Sequence, residues 1–246
     1  MTFTELTGRT ALVTGGGTRV GAVIARALAG AGADLIVHYA SSAEGARAVV
    51  DDAVRIGRRA TAIQADLRER AGVEGLARDA LAWSSGRLDV LVHNAANFER
   101  IEPAELSAEA WDRAMALNAT APYLLTIALA PALRAARGCV VAIACLSAER
   151  PWKNYIPYSA SKAALVSVVR GLALGLAPEV RVNAVAPGAV LLPDSYDEAK
   201  RARIVTRVPL RRTGAAEDVA RAVIFLAEND FVSGQVLAVD GGESLT

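Results

Sequence analysis

Short β-branched runs alternate with longer helical stretches along the whole of this 246-residue chain. TALVT precedes RVGAVIARALAGAGA, DLIVH precedes EGARAVVDDAVRIG, and ATAIQA precedes a polar helical stretch from Arg70 to Ser84. LDVLVH leads into EAWDRAMALNATAPYLLTIALAPALRAA, and GCVVAIAC leads into a helix that carries Tyr158. VRVNAVA and QVLAVD supply the last two strands. In the first helix Val20, Val23, Ile24, Ala27 and Leu28 fall on one apolar face at helical spacing. The strands are near-continuously apolar, as a parallel sheet covered on both faces requires. This alternation predicts an α/β fold, a doubly wound Rossmann-type parallel sheet with helices on both faces. A 53% hydrophobic share is enough for one large core, and the length suits a single domain over residues 1–246. The longest irregular stretch, Pro187 to about Ser195, is a candidate substrate loop within the region 187–210.

Charge and composition narrow the function classes. The net charge is +1 with acids and bases interspersed, so the chain lacks an electrostatic footprint for nucleic acid or an anionic membrane. The opening MTFTELTGRT contains no apolar signal segment, and no uninterrupted apolar run reaches the ~18 residues of a membrane span. The expected compartment is the cytoplasm. Cys139 and Cys145 lie in one expected strand. Six residues of strand span roughly 20 Å, too far for the ~7 Å limit between bridged α-carbons. His38 and His93 lack companion ligands at metal-site spacing, so no metal is expected.

The first strand ends in Thr14-Gly15-Gly16-Gly17-Thr18-Arg19-Val20-Gly21 and runs straight into a helix. Glycines there let the backbone turn tightly and approach a pyrophosphate. The helix N-terminus adds free amides and the positive end of its dipole. The second strand ends at His38-Tyr39-Ala40-Ser41-Ser42. A site selective for NAD places a carboxylate near this point to hold the ribose 2′-hydroxyl. Here Tyr39 stands instead and the next acid is Glu44. A 2′-phosphate meets no repulsion, and Ser41 and Ser42 can donate to it, which predicts NADPH; a plain solvated turn is the alternative. Asp66, after the third strand, is either an acceptor for the adenine amine or a helix N-cap.

Tyr158 and Lys162 sit four apart in PYSASKAALVSVVRGLALGL, so they share one helix face with β-carbons about 5–6 Å apart. A neighbouring ammonium favours the phenolate, lowers the phenol pKa and makes a good proton donor. Of 27 basic residues only Lys153, Lys162 and Lys200 are lysine. A compact point charge at 162 therefore stands out against a background of arginine.

With these motifs, HNAA from His93 to Ala96, Asn118, YSASK from Tyr158 to Lys162, VNAVAPG from Val182 to Gly188 and SGQVLAVDGG near the end complete a pattern. The chain resembles the short-chain dehydrogenase/reductase family over essentially its full length. The resemblance implies a nicotinamide cofactor and hydride transfer to a carbonyl or imine. It makes Tyr158 the acid, gives Lys162 the cofactor ribose and the tuning of Tyr158, and has Asn118 support a proton-relay water. The cofactor contacts implied are Gly15, Thr18, Arg19, Val20, His38, Tyr39, Ser41, Ser42, Asp66, Leu67, Asn94, Ala95, Ala96, Tyr158, Lys162, Pro187, Gly188 and Val190. A homotetramer built through the Asn118 and Tyr158 helices is also implied.

Three features depart from the family pattern. Arg19 replaces the middle glycine of the turn, the usual Asn-Asn-Ala-Gly reads His93-Asn94-Ala95-Ala96, and Cys145 stands where a serine normally bonds the substrate oxygen. A thiol is a weak donor, and Cys145 is otherwise an inert apolar residue at a strand end. Ser147 could take over if the loop is reshaped. Arg19, the HYASS segment, Phe98, NATAPY from Asn118 to Tyr123, and the VPLRR and VDGGESL segments resemble the pteridine reductases. That branch usually has an acid at the position of Cys145, so the match is incomplete. It implies that Phe98 stacks a pterin on the nicotinamide, that Arg19 bridges cofactor phosphate and substrate, and that Arg19, Phe98, Cys145 and Tyr158 bind substrate. Trp152 and Tyr196 either line the pocket or pack. Two rivals share these residues: a 3-oxoacyl thioester (acyl carrier protein) or general ketone reductase, and an NADPH-binding protein with little turnover.

Overall fold

The computed structural model describes residues 6–192 and 196–246. Seven strands form one parallel sheet: β1 Thr10–Val13, β2 Asp34–Tyr39, β3 Ala60–Gln64, β4 Val90–His93, β5 Cys139–Ile143, β6 Arg181–Pro187 and β7 Val236–Val239. Their order across the sheet is β3-β2-β1-β4-β5-β6-β7. The helices are α1 Arg19–Gly30, α2 Ala43–Arg55, α3 Arg70–Trp83, α4 Ala108–Met115, α5 Ala121–Ala136, α6 Ile156–Gly175, α7 Glu198–Arg207 and α8 Ala216–Glu228. The doubly wound sheet expected from the sequence is present.

Strand periodicity divides the core into two layers. Val13, Leu35, Val37, Val92 and Val141 face α1, α2 and α8, where they meet Ile24, Leu28, Val49 and Val223. Their neighbours Leu12, Ile36, Leu91 and Val140 face the other way, onto Leu76, Leu125, Leu129, Leu133, Leu165 and Val169 of α3, α5 and α6. Successive strand side chains point to opposite faces, so a sheet buried on both sides must be apolar throughout. Chain direction across the sheet reverses between β1 and β4, and a crevice opens there beyond the strand ends. Val13, the last residue of β1, is in register with Val37 on one side and Val92 on the other, and β2 runs on to Tyr39 and β4 to His93 beside that crevice.

Three sequence expectations are refined. The helix spanning α4 and α5 is continuous but widens into a π segment over Ala116–Thr120. The irregular stretch after β6 gives way to α7, which the apolar pattern did not mark, and residues 193–195 of the candidate loop lie outside the described residues. The helix Ala108–Ala136 is also long and apolar enough to cross a membrane by length and composition, which the sequence reading did not register. That window is 56% buried inside the protein, and its inner face fills the core against α3 and the sheet. Cys139 and Cys145 are both free thiols, but β5 ends at Ile143, so only Cys139 lies in the strand expected to hold both.

Asp89 aligns the strands at the opposite edge. Its buried carboxylate accepts from the Thr10 amide at 2.8 Å and from Arg87 Nε at 2.8 Å. Its backbone N–H donates to Thr10 and its carbonyl accepts from Cys139, so one residue fastens the starts of β1, β4 and β5. Asp89→Ala leaves the Thr10 amide buried without a partner and should cost ~1–3 kcal/mol in urea unfolding. Asp89→Asn keeps an acceptor there and should cost less than half as much. Equal losses would mean that the Thr10 bond contributes nothing.

Candidate active site

The turn after β1 is held from both sides. The Thr14 hydroxyl donates to the Val92 carbonyl at 3.3 Å and accepts from the amides of Asn94 and Ala95 at 3.0 and 3.1 Å. Asn94 Nδ2 donates back to the carbonyls of Thr14 and Gly15, at 3.1 and 3.0 Å. Gly21 must be glycine, because a β-carbon there would lie 2.2 Å from the Gly15 carbonyl oxygen. Thr18 precedes α1 without a side-chain cap, so the leading amides of α1 stay available to an anion.

These amides open into a cleft of about 990 Å³. Of the expected cofactor residues, Gly15, Thr18, Arg19, Val20, His38, Tyr39, Ser41, Ser42, Asp66, Leu67, Asn94, Ala95 and Ala96 line it. Tyr158, Lys162, Pro187 and Gly188 are not in that lining, and Val190 lines a separate hollow of about 270 Å³ beside Leu210 and Arg212. The uncapped helix end, the glycine approach and the long cleft fit a dinucleotide. One sequence expectation changes character: the His38 ring is 2% exposed and is taken up by the Gly15 amide and the Ala65 carbonyl, both at 3.1 Å.

Two more side chains carry partners that the sequence did not indicate. The Asp66 carboxylate accepts from Arg68 Nε at 2.9 Å, and that guanidinium holds its pKa down at about 2. It is an ion pair before it is an adenine acceptor. Arg19 takes a left-handed backbone, φ 50°, which costs a non-glycine residue ~1–2 kcal/mol. Its guanidinium donates to the Leu191 carbonyl at 2.7 Å, tying the cofactor turn to the loop after β6. Arg68, Asn97, Glu99 and Arg113 also line the cleft and were missed, since nothing in their local sequence marks them.

Beyond the cleft, α6 presents Tyr158 and Lys162 from its first turns, both buried. Lys162 Nζ donates to the Ile143 carbonyl at 2.7 Å and lies 5.7 Å from the centre of the Tyr158 ring. The Tyr158 hydroxyl meets the Cys145 thiol. The Cys145 sulfur also accepts from the Ser147 amide at 3.4 Å. Ser147 itself is fully buried and its hydroxyl has no partner among the described residues, so it does not replace Cys145 at the site.

The pKa of Tyr158 runs against the sequence expectation. Burial, then the neighbouring thiol and Tyr155, raise it well above the ordinary value. Lys162 points at a backbone carbonyl rather than the phenol oxygen, so its charge does not offset that burial. Burial also lowers Lys162 itself to about 8, with the Cys145 neighbour acting the other way.

Asn118 sits in the π segment and its side chain is fully used. Its Oδ1 accepts from the Asn97 amide at 2.9 Å, while Nδ2 donates to the Asn97 carbonyl at 3.2 Å and to Ser161 Oγ at 2.9 Å. His93 donates through Nε2 to Thr126 Oγ1 at 2.8 Å, because that hydroxyl already donates to the Pro122 carbonyl. Burial and the nearby Lys162 charge push the pKa of His93 to about 3, so it is neutral.

An aromatic wall flanks Tyr158. Phe98 stacks on Tyr155 with centroids 4.6 Å apart and meets Tyr158 edge-on at 4.9 Å. Trp152 closes edge-on against both Phe98 and Tyr155. The Tyr155 hydroxyl bonds Tyr196, and burial with that bond pushes its pKa up to about 12. Ile101 donates to the Asn154 carbonyl at 2.8 Å and Asn154 Nδ2 to Glu102 at 3.0 Å, which fixes the two loops carrying the wall. Phe98 thus already has a stacking partner on one face, and 47% of it remains exposed.

A buried ammonium destabilises the fold, and its pKa gives the pH window. Above about pH 8 the folded state releases the Lys162 proton, while the unfolded chain keeps it until 10.5. Stability attributable to Lys162 therefore rises with pH across that window, and the full penalty stands below it. Lys162→Met should stabilise the protein by ~1–2 kcal/mol at pH 7 in urea titration. The gap should narrow above pH 8; a gap independent of pH would rule out burial as its cause.

Comparison with known proteins supplies the remaining context. Residues 17–244 match a family model described as enoyl-(acyl carrier protein) reductase. A ketoacyl reductase of the granaticin polyketide synthase from Streptomyces violaceoruber is 38% identical, over 96% of each chain. A metagenomic blue fluorescent protein, solved in complex with NADPH, is 35% identical with a TM-score of 0.87, covering 97% of this chain and 98% of its own. A 7α-hydroxysteroid dehydrogenase, solved with NADH and 7-oxo glycochenodeoxycholic acid, is 32% identical with a TM-score of 0.91, covering 96% of this chain and 94% of its own.

Proposed function

The chain belongs to the short-chain dehydrogenase/reductase family, and we propose that it is an NADPH-dependent reductase of a bulky, flat ring carbonyl. One observation carries the substrate class: an aromatic wall of Phe98, Trp152 and Tyr155 packs edge-on against the Tyr158 ring through Phe98 and Tyr155. A flat ring lying on the exposed face of Phe98 gains stacking of ~0.5–1.5 kcal/mol beyond buried area. The nicotinamide cofactor, when bound, supplies the hydride. Tyr158 delivers a proton to the carbonyl oxygen, with Cys145 as a weak second donor to that oxygen. Lys162 is free to leave the Ile143 carbonyl for the cofactor ribose, which would bring its charge to bear on Tyr158. Asn118 keeps the π segment and the Asn97 loop in place.

For NADPH, the support lies at the end of β2. Tyr39, Ser41 and Ser42 line the cleft there, and the nearby Asp66 is already neutralised by Arg68. A pterin remains the second reading, because the exposed face of Phe98 and the position of Arg19 suit a flat heterocycle. It ranks second since Arg19 is engaged by Leu191, and the relatives reported above are named for ketoacyl and hydroxysteroid chemistry. The same reading takes residues 1–246 as one domain, in the cytoplasm, with residues 187–210 over the substrate. It also includes a homotetramer packed through α4, α5 and α6, whose outer faces expose Trp111, Tyr123, Ile127 and Leu174.

The test is kcat/KM with NADPH and NADH on a polycyclic ketone, a dihydropterin and a 3-oxoacyl thioester. The ring ketone with NADPH should be favoured. Turnover of the pterin alone would establish the second reading, and an NADH preference would remove the cofactor assignment. Tyr158→Phe should lower kcat by ~10²–10⁴-fold with cofactor affinity intact. Cys145→Ser should raise ketone turnover by restoring a strong hydroxyl donor, and unchanged rates would make the thiol a packing residue.

A further inference from the structure

We propose that His38 is a positioning residue for the cofactor, setting the phosphate-facing turn by taking two of its amides; this rests on the dinucleotide reading above. The imidazole is enclosed where β1, β2 and β3 end. Its Nδ1 lies 3.1 Å from the Gly15 amide and its Nε2 lies 3.1 Å from the Ala65 carbonyl. An amide can only donate and a carbonyl can only accept, so the ring must be neutral with its proton on Nε2. The His38 carbonyl accepts from the next amide, Gly16, at 3.0 Å. From the other side Asn94 Nδ2 holds the Gly15 carbonyl at 3.0 Å. Gly15 is thereby fixed at φ 61°, with its amide spent on the ring. The amides that follow are the ones aimed at a phosphate.

A protonated ring would set one N–H against another and release Gly15. Burial, the largest influence, holds the His38 pKa below the ordinary 6.5; the Ala65 bond and the Asp66 charge pull upward. Asp66 faces the ring from the β3 side, itself bridged by Arg68. The turn brings Thr14, Gly15 and Gly16, and β4 brings Asn94, none of which titrates in this range. Arg19, also in the turn, directs its guanidinium to Leu191.

Two variants separate positioning from packing. His38→Asn keeps an acceptor near Nδ1 that does not titrate, and His38→Leu removes it. NADPH affinity is read by fluorescence titration from pH 7.5 to 5, and Gly15 amide exchange by NMR on the protein without cofactor. At pH 7.5 His38→Asn should bind within about threefold of wild type, and His38→Leu about tenfold or more weaker, the scale of one lost bond. Wild type should lose affinity on acidification about fivefold more than His38→Asn; titration of the cofactor 2′-phosphate is common to both. Gly15 exchange should be about tenfold faster in His38→Leu. The proposal is overturned if His38→Leu matches wild type in binding and exchange, or if the wild-type and His38→Asn pH profiles superimpose. Should His38→Leu not fold, the comparison with His38→Asn decides. Should wild type bind neither NADPH nor NADH, the dinucleotide reading fails, and the pH dependence of Gly15 exchange in wild type and His38→Asn still decides the role of His38.

Discussion

Thr14 and Asn94 are the knot on which the site depends. A parallel sheet whose chain direction reverses leaves a crevice between β1 and β4, but nothing in sheet geometry alone keeps the two strand ends level. The Thr14 hydroxyl does so by donating to β4 and accepting two amides beyond it, and Asn94 returns two bonds to the turn. Every donor and acceptor in this exchange is satisfied within the protein, so the walls of the cleft do not compete with a ligand for their own hydrogen bonds. The leading amides of α1 are left over by construction, at the end where the dipole favours an anion.

The chemistry sits where the fold is least comfortable. Lys162 is an ammonium in an apolar layer, Tyr158 a phenol held well above its ordinary pKa, and Arg19 a bulky residue in a conformation suited to glycine. Burial perturbs both titrating groups at the first turns of α6, the phenol upward and the ammonium downward. The π segment belongs to the same pattern: a regular helix through Ala116–Thr120 would rotate Asn118 away from Asn97 and Ser161.

Much of this was legible in the residues. Alternation with two periods gave the sheet and its two layers, because burial on both faces leaves no choice of side chain in β1, β2, β4 or β5. The Tyr158–Lys162 pair was legible because a single helix carries both. What stayed hidden depends on partners distant in sequence. Nothing near Arg19 announces Leu191, 172 residues away, and nothing near Lys162 announces the Ile143 carbonyl that draws its charge off the phenol. Phe98 was read as a platform for substrate, but Tyr155, on another loop, takes one face of it. His38 does line the cleft beside Tyr39, but nothing near it announces that its ring bonds the Gly15 amide and the Ala65 carbonyl.

The strand order has a consequence for how such a chain is made. β2 pairs with β1, β3 with β2, β4 with β1, and then β5, β6 and β7 each pair with the strand made just before. Every new strand finds a finished edge waiting for it. A nascent chain leaving the ribosome can therefore extend one sheet outward from β1 in two directions, without any strand waiting for a partner not yet synthesised. The tether from Arg19 to Leu191 forms only after β6 has emerged. The joining of the glycine turn to the loop after β6 is thus among the last events of assembly, after the walls of the cleft already stand.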